Sequence, residues 1–181
     1  MPVRQVLLGD RLQIEARILR ERAQRQPLGL ERGGEYGTTT GRARRVGWID
    51  LVALRYAAQI NSLTALAVMK LDVLSGFERL CVCTRYRGPE GAEFDDFPYH
   101  QTMLHHVTGE YVDMPGWSED LTECRDESDL PAAARDYLQF VSDFVGVPIA
   151  LIGVGPAREE VIWTEAGAGM AGSGKAASAA A

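Results

Sequence analysis

The sequence has only three cysteines, Cys81, Cys83 and Cys124, and none stands in a CxxC pair or a metal-ligand cluster. An odd number of scattered thiols argues against a disulfide framework, and reduced thiols in a soluble, cytosolic protein are the simplest reading. Long hydrophobic runs are missing too. No stretch approaches the roughly 18–20 apolar residues that cross a bilayer, and the opening residues lack a basic-then-apolar signal pattern, so no membrane partner is expected. Nor is there an excess of positive charge: 19 Lys and Arg against 25 Asp and Glu give a formal net charge of −6. That is the wrong sign for a protein whose main partner is a nucleic acid. Histidines are few. His105 and His106 are adjacent and cannot share one helix or strand face, and His100 has no partner at ligand spacing, so no metal site is expected. No local signature of a Ser/His/Asp or Cys/His nucleophile is present.

What remains is a chain of 181 residues, 46% hydrophobic, of a size for one globular domain or a piece of a larger one. Residues 1–30 form a charged extension in which Leu12, Ile14, Ile18 and Leu19 fall at rough helical spacing before Pro27 and Gly29 stop the helix; an RNA-binding arm is the sharper alternative. Trp48 to Ile60 carries an apolar stripe and reads as a buried-face helix closed by Asn61. "LTALAVM" (63–69) suits a strand covered on both faces, as in a parallel sheet, and "RLCVCTRY" (79–86) reads as a second strand. Residues 87–98 are an exposed connection. A further helix starts at Pro131 with Asp129 as N-cap, turns Leu138, Val141 and Val145 inward, and ends at Gly146. "VPIALIGVG" is one more buried strand, and residues 165–181 form a Gly/Ala/Ser tail without the bulk to pack. Strands alternating with helices give an α/β fold, in which ligands collect beyond the carboxyl ends of strands.

Three places could carry chemistry, all at strand ends or in glycine-rich loops. In "GGEYGTTTGRARR" (33–45), the hydroxyls of Thr38, Thr39 and Thr40 and nearby backbone N–H groups can bind an anion, Gly37 and Gly41 permit unusual torsions, and Arg42, Arg44 and Arg45 supply forked donors. The same run also reads as a solvated turn. "KLD" (70–72) follows a buried strand. A carboxylate there can accept both N1–H and the 2-amino group of guanine, a pair of donors that adenine lacks, while Lys70 lays its aliphatic stem along the base. "GVGP" (153–156) ends the last strand, where backbone approaches a flat base or a phosphate unobstructed. Each of the last two is, by itself, also an ordinary turn.

Taken in order, "GGEYGTTTGRARRVGWIDLVALRYA", "KLDVLSGFE", "MPGWSED" and "VGVPIALIGVGP" resemble the carboxy-terminal part of adenylosuccinate synthetase, from about Gly33 to about Ile162. The resemblance implies a GTP-dependent ligase of purine biosynthesis joining IMP to L-aspartate. GTP phosphorylates the 6-oxygen of IMP, and the aspartate amine displaces that phosphate. It implies that Thr38, Thr39, Thr40, Gly41, Arg42, Ala43 and Arg44 hold aspartate, with Arg42 also reaching IMP and Arg44 reaching GTP. Lys70, Leu71 and Asp72 would recognise guanine, and Gly153, Val154 and Gly155 would complete its pocket. The fold implied is P-loop-NTPase-like, here a partial, mostly parallel sheet with flanking helices. Such proteins form homodimers in which an arginine crosses between subunits.

The chain departs from the family at Gly153, commonly serine, and at Met69, commonly threonine, and the first departure leads us to expect weaker GTP binding. The larger departure is that the phosphate loop, the catalytic aspartate and histidine and the Mg2+ ligands precede the matched region in the family; "LLGDRLQ" near the start lacks the later glycines and the lysine. The expectation is therefore a carboxy-terminal fragment, catalytically silent alone, with uncovered strand edges that favour aggregation. A noncatalytic GTP-binding remnant or regulatory module is the alternative.

Overall fold

The computed structural model describes residues 31–98 and 100–168. The expected helix over 10–24 and most of the expected tail lie outside those residues. Helix α1 (Leu51–Asn61) starts three residues after Trp48 because Asp50 caps it: its Oδ1 accepts from Ala53 N at 3.0 Å. Trp48 stays outside the helix, edge-on to Phe77. Ser62, in the left-handed conformation, ends the helix with its N–H on the carbonyls of Ala58 and Gln59. Strand β1 (Leu66–Val68) follows and is buried along its whole length, as its unbroken apolar sequence requires. Beyond a single 3-10 turn (Leu71–Leu74) come β2 (Arg79–Arg87), β3 (Glu93–Phe94), the short helix α2 (Gln101–Leu104) and β4 (Thr108–Pro115). Helix α3 (Ala132–Val145) buries Ala134, Tyr137, Leu138, Val141 and Val145, one stripe at three- and four-residue spacing. Gly146, at φ 72°, donates its N–H to Ser142 O and ends the helix as expected. β5 (Ile149–Gly153) and β6 (Val161–Trp163) complete the described chain, and residues 165–168 add a helical turn.

The sheets are not mostly parallel, which corrects the sequence expectation. One sheet has the order β1-β5-β6, with β1 and β5 parallel and β5 and β6 antiparallel; the other, β3-β2-β4, is antiparallel throughout. β2 belongs to this second sheet and does not extend the first. The mixture follows from short connections after β2 and β5, which allow only antiparallel returns, whereas β1 and β5 are separated by a crossover long enough for parallel pairing. Asp129 also differs from expectation. It accepts from the backbone N–H groups of Arg125 and Asp126 at 3.0 and 2.9 Å, closing the turn before α3, and Pro131 occupies the cap position. One continuous core joins α1, β1, β5, β6 and α3 to Leu80 and Val82 of β2 and to Trp117 and Leu121. A smaller cluster gathers Val52, Cys83, Tyr86 and Val107. Among the described residues no helix is long and apolar enough to cross a membrane, and all three cysteines are free and buried.

Candidate functional site

Parallel pairing fixes where the site lies. Val68 of β1 stands opposite Ile152 of β5, so both strands end side by side, and the segments after them, 69–72 and 153–155, leave the sheet together. Lys70 leaves it at φ 63°, a left-handed conformation rare for a residue with a long side chain, and so turns the chain sharply into the 3-10 turn that carries Asp72. Asp72 is the site's most telling group. Its Oδ1 is buried with no hydrogen-bond partner, although neighbouring backbone and Lys70 act on the carboxylate as a whole. Desolvation raises its pKa above the ordinary 3.8, and the nearby Glu160 pushes in the same direction.

The loop after β5 closes on Glu160, whose carbonyl accepts from Val154 N at 2.9 Å and whose Oε2 accepts from Ala157 N at 2.7 Å. Gly155 leaves room for that closure: a Cβ there would sit 2.3 Å from Glu160 Oε2 and 3.1 Å from its Cβ, so the carboxylate would have to move. Gly153 faces Met69. A Cβ at 153 would meet Met69 Cε at 2.7 Å and Sδ at 3.1 Å, so the two departures noted in the sequence are neighbours. The thioether fills the space that a side chain at 153 would take.

The threonine loop forms a small hairpin, closed by the Tyr36–Ala43 bridge and by Gly37 N to Arg42 O at 2.8 Å. Gly41 turns it at φ 63°, donating its N–H to Gly37 O, and Arg42 N lies 3.4 Å from Thr40 Oγ1. Thr38, Thr39, Thr40, Gly41, Arg42, Ala43, Arg44 and Arg45 are all exposed, hydroxyls and guanidiniums alike. This hairpin is tied to the strand ends. Lys70 Nζ donates to Gly33 O at 2.8 Å and to the Glu35 carboxylate, and Glu35 also accepts from Arg44 Nη1 at 3.3 Å. The three stretches singled out in the sequence thus converge at one end of the β1–β5 pair.

Sequence reasoning missed the supports. Glu35 and Glu160 stand at no informative spacing, and "MPGWSED" carries no sign that it props the Asp72 turn from below. Trp117 does so by donating Nε1–H to Ser75 Oγ at 3.1 Å and accepting from Gly76 N at 2.7 Å. Gly116 admits this approach, since a Cβ there would lie 1.8 Å from Phe77 O. Arg32 donates to Ser75 O from the other side.

The family model for adenylosuccinate synthetase matches residues 21–162. The adenylosuccinate synthetase of Acidothermus cellulolyticus is 50% identical over 134 residues, 74% of this chain and 31% of that protein. The chloroplastic enzyme of Nicotiana tabacum is 47% identical over 131 residues, 72% of this chain and 26% of its own. Among solved structures, the fully ligated adenylosuccinate synthetase of Plasmodium falciparum superposes with a TM-score of 0.72 at 35% identity, covering 76% of this chain and 33% of that one. The chain spans about a third or less of the length of these relatives. By the extent of the family match and the identity across it, the chain belongs to the adenylosuccinate synthetase family.

Proposed function

We propose that the chain supplies the guanine pocket and the aspartate loop of a GTP-dependent IMP–aspartate ligase. One observation carries this reading: Asp72 holds a buried carboxylate oxygen without a partner, at the end of a parallel strand. Leaving a buried acceptor unpaired costs about 1–3 kcal/mol; a ligand that brings two adjacent donors removes that cost. Guanine offers N1–H and the 2-amino group. Lys70, Leu71 and the backbone of Gly153, Val154 and Gly155 would frame the base. Thr38 to Arg44 would bind L-aspartate through hydroxyl and guanidinium donors, with Arg42 reaching IMP and Arg44 the GTP phosphates. Titration of the chain with GTP and ATP tests the assignment. Asp72→Asn should abolish the preference for GTP, and an unchanged preference would remove Asp72 from the pocket.

The residues described here bind and orient. They do not supply the proton acceptor for IMP. Among the described residues no three or more His, Cys, Asp or Glu side chains gather in one place; the Mg2+ of the family, commonly met by a carboxylate or two together with substrate phosphates, would take its protein ligands from the portion that precedes the match. A polypeptide of these 181 residues should therefore form no detectable adenylosuccinate from IMP, aspartate and GTP, and activity should return when the portion of a relative that precedes the match is supplied in trans. Turnover by the purified chain alone would contradict this. A homodimer, by analogy with the family, completes the proposal.

A further inference from the structure

We infer that Glu35 is a positioning residue that clamps Arg44 and Lys70 together, making the threonine hairpin and the guanine pocket one mechanical unit. The carboxylate is well placed for this. Its side chain is only 15% exposed while those of its two partners are 45% and 52% exposed, so the anion is shielded while both cations remain open to solvent. Its backbone is held as well, Glu35 O accepting from Arg44 N at 2.8 Å. On the other side Lys70 is in a left-handed conformation that costs on the order of 1 kcal/mol or more unless its surroundings enforce it. The enforcing contacts are Gly33 O and Glu35, thirty-seven and thirty-five positions away in sequence. Without the carboxylate, two like charges would face each other and the strained turn leading to Asp72 would lose an anchor. The inference rests on the reading of Lys70 and Arg44 as nucleotide contacts, and it adds that Lys70 is set from the threonine hairpin rather than by its own segment.

The test compares the full chain with its Glu35→Gln variant, which keeps size and removes charge. In hydrogen exchange without ligand, Glu35→Gln should speed exchange in 36–44 and in 69–74 together. A change confined to 36–44 would reduce Glu35 to a local hairpin residue and overturn the inference. In GTP titrations, Glu35→Gln should weaken binding about tenfold, the scale of one charge-assisted hydrogen bond, while leaving the GTP over ATP preference set by Asp72 in place. The double variant Glu35→Gln/Lys70→Met should bind more tightly than the product of the two single losses predicts, because the two residues share one contact even though Arg44 is still released. Additive losses, or GTP affinity within twofold of the unsubstituted chain, would refute the clamp. Absence of GTP binding by the unsubstituted chain would instead count against the pocket, and the exchange comparison would still decide the role of Glu35.

Discussion

On the proposed reading, Asp72 faces opposite demands with and without nucleotide. Burial raises its pKa in the free chain, and raises that of Asp50 as well. A carboxyl whose folded pKa lies above its unfolded value stabilises the fold fully below the unfolded value, near 3.8, and loses that contribution as pH rises through the folded value. Guanine recognition needs the ionised form. GTP affinity should therefore decline on acidification at a pH where an ordinary aspartate is still charged, and the decline should vanish in Asp72→Asn; calorimetric titrations between pH 7.5 and 5 would read it. The same variant should also raise the melting temperature at neutral pH, because it removes a desolvated charge. Asp50 behaves differently, because its two oxygens are used: one caps α1, the other accepts from Tyr86 Oη at 2.5 Å. Asp50→Ala should cost about 2 kcal/mol in urea unfolding, from the lost cap and the orphaned phenol, and Asp50→Asn less. At Gly153 a serine would press on Met69, so Gly153→Ser should be better tolerated, by melting temperature, when paired with Met69→Thr.

At the scale of elements, what could be read from the sequence was whatever a strong local signal specified. α3 was legible because its apolar stripe and Gly146 speak for themselves, and β1 and β5 because an unbroken apolar run with turns at each end has few other uses. β4 was not: Gly109, Glu110, Asp113 and Pro115 break any apolar run, no residue of it is fully buried, and it is a strand because β2 pairs with it over nearly its whole length. Sheet membership was invisible for the same reason, since pairing is decided across the fold and not within a strand. The site was legible as three stretches of sequence but not as one object; only the β1–β5 register and the Lys70–Glu35 contact bring them together. The Gly116–Trp117 segment stands out in the sequence as a pattern whose local residues do not reveal its role. Gly116→Ala tests that role: the added methyl meets backbone at Phe77, so a loss of about 3 kcal/mol or outright failure to fold is expected, measured by denaturant unfolding.

For the molecule as a whole, the described residues make one large core and a smaller cluster, yet β1 lies at the edge of its sheet although all three of its residues are buried. An apolar strand with one side of its backbone unpaired is a place for another strand to add. The relatives, about three times longer than the matched region, have the length to supply one. Co-expression with the preceding portion of a relative should therefore raise the soluble yield, and a sharp monomeric melt of the chain alone would argue that the edge needs no cover. The proposed guanine contact at Asp72 is tested most directly by a titration of the chain with GTP, ITP and ATP under identical conditions. ITP keeps N1–H and lacks the 2-amino group, so a carboxylate that accepts both donors predicts GTP bound most tightly, ITP about tenfold or more weaker, and ATP weaker still. Equal affinity for ATP and GTP would contradict it.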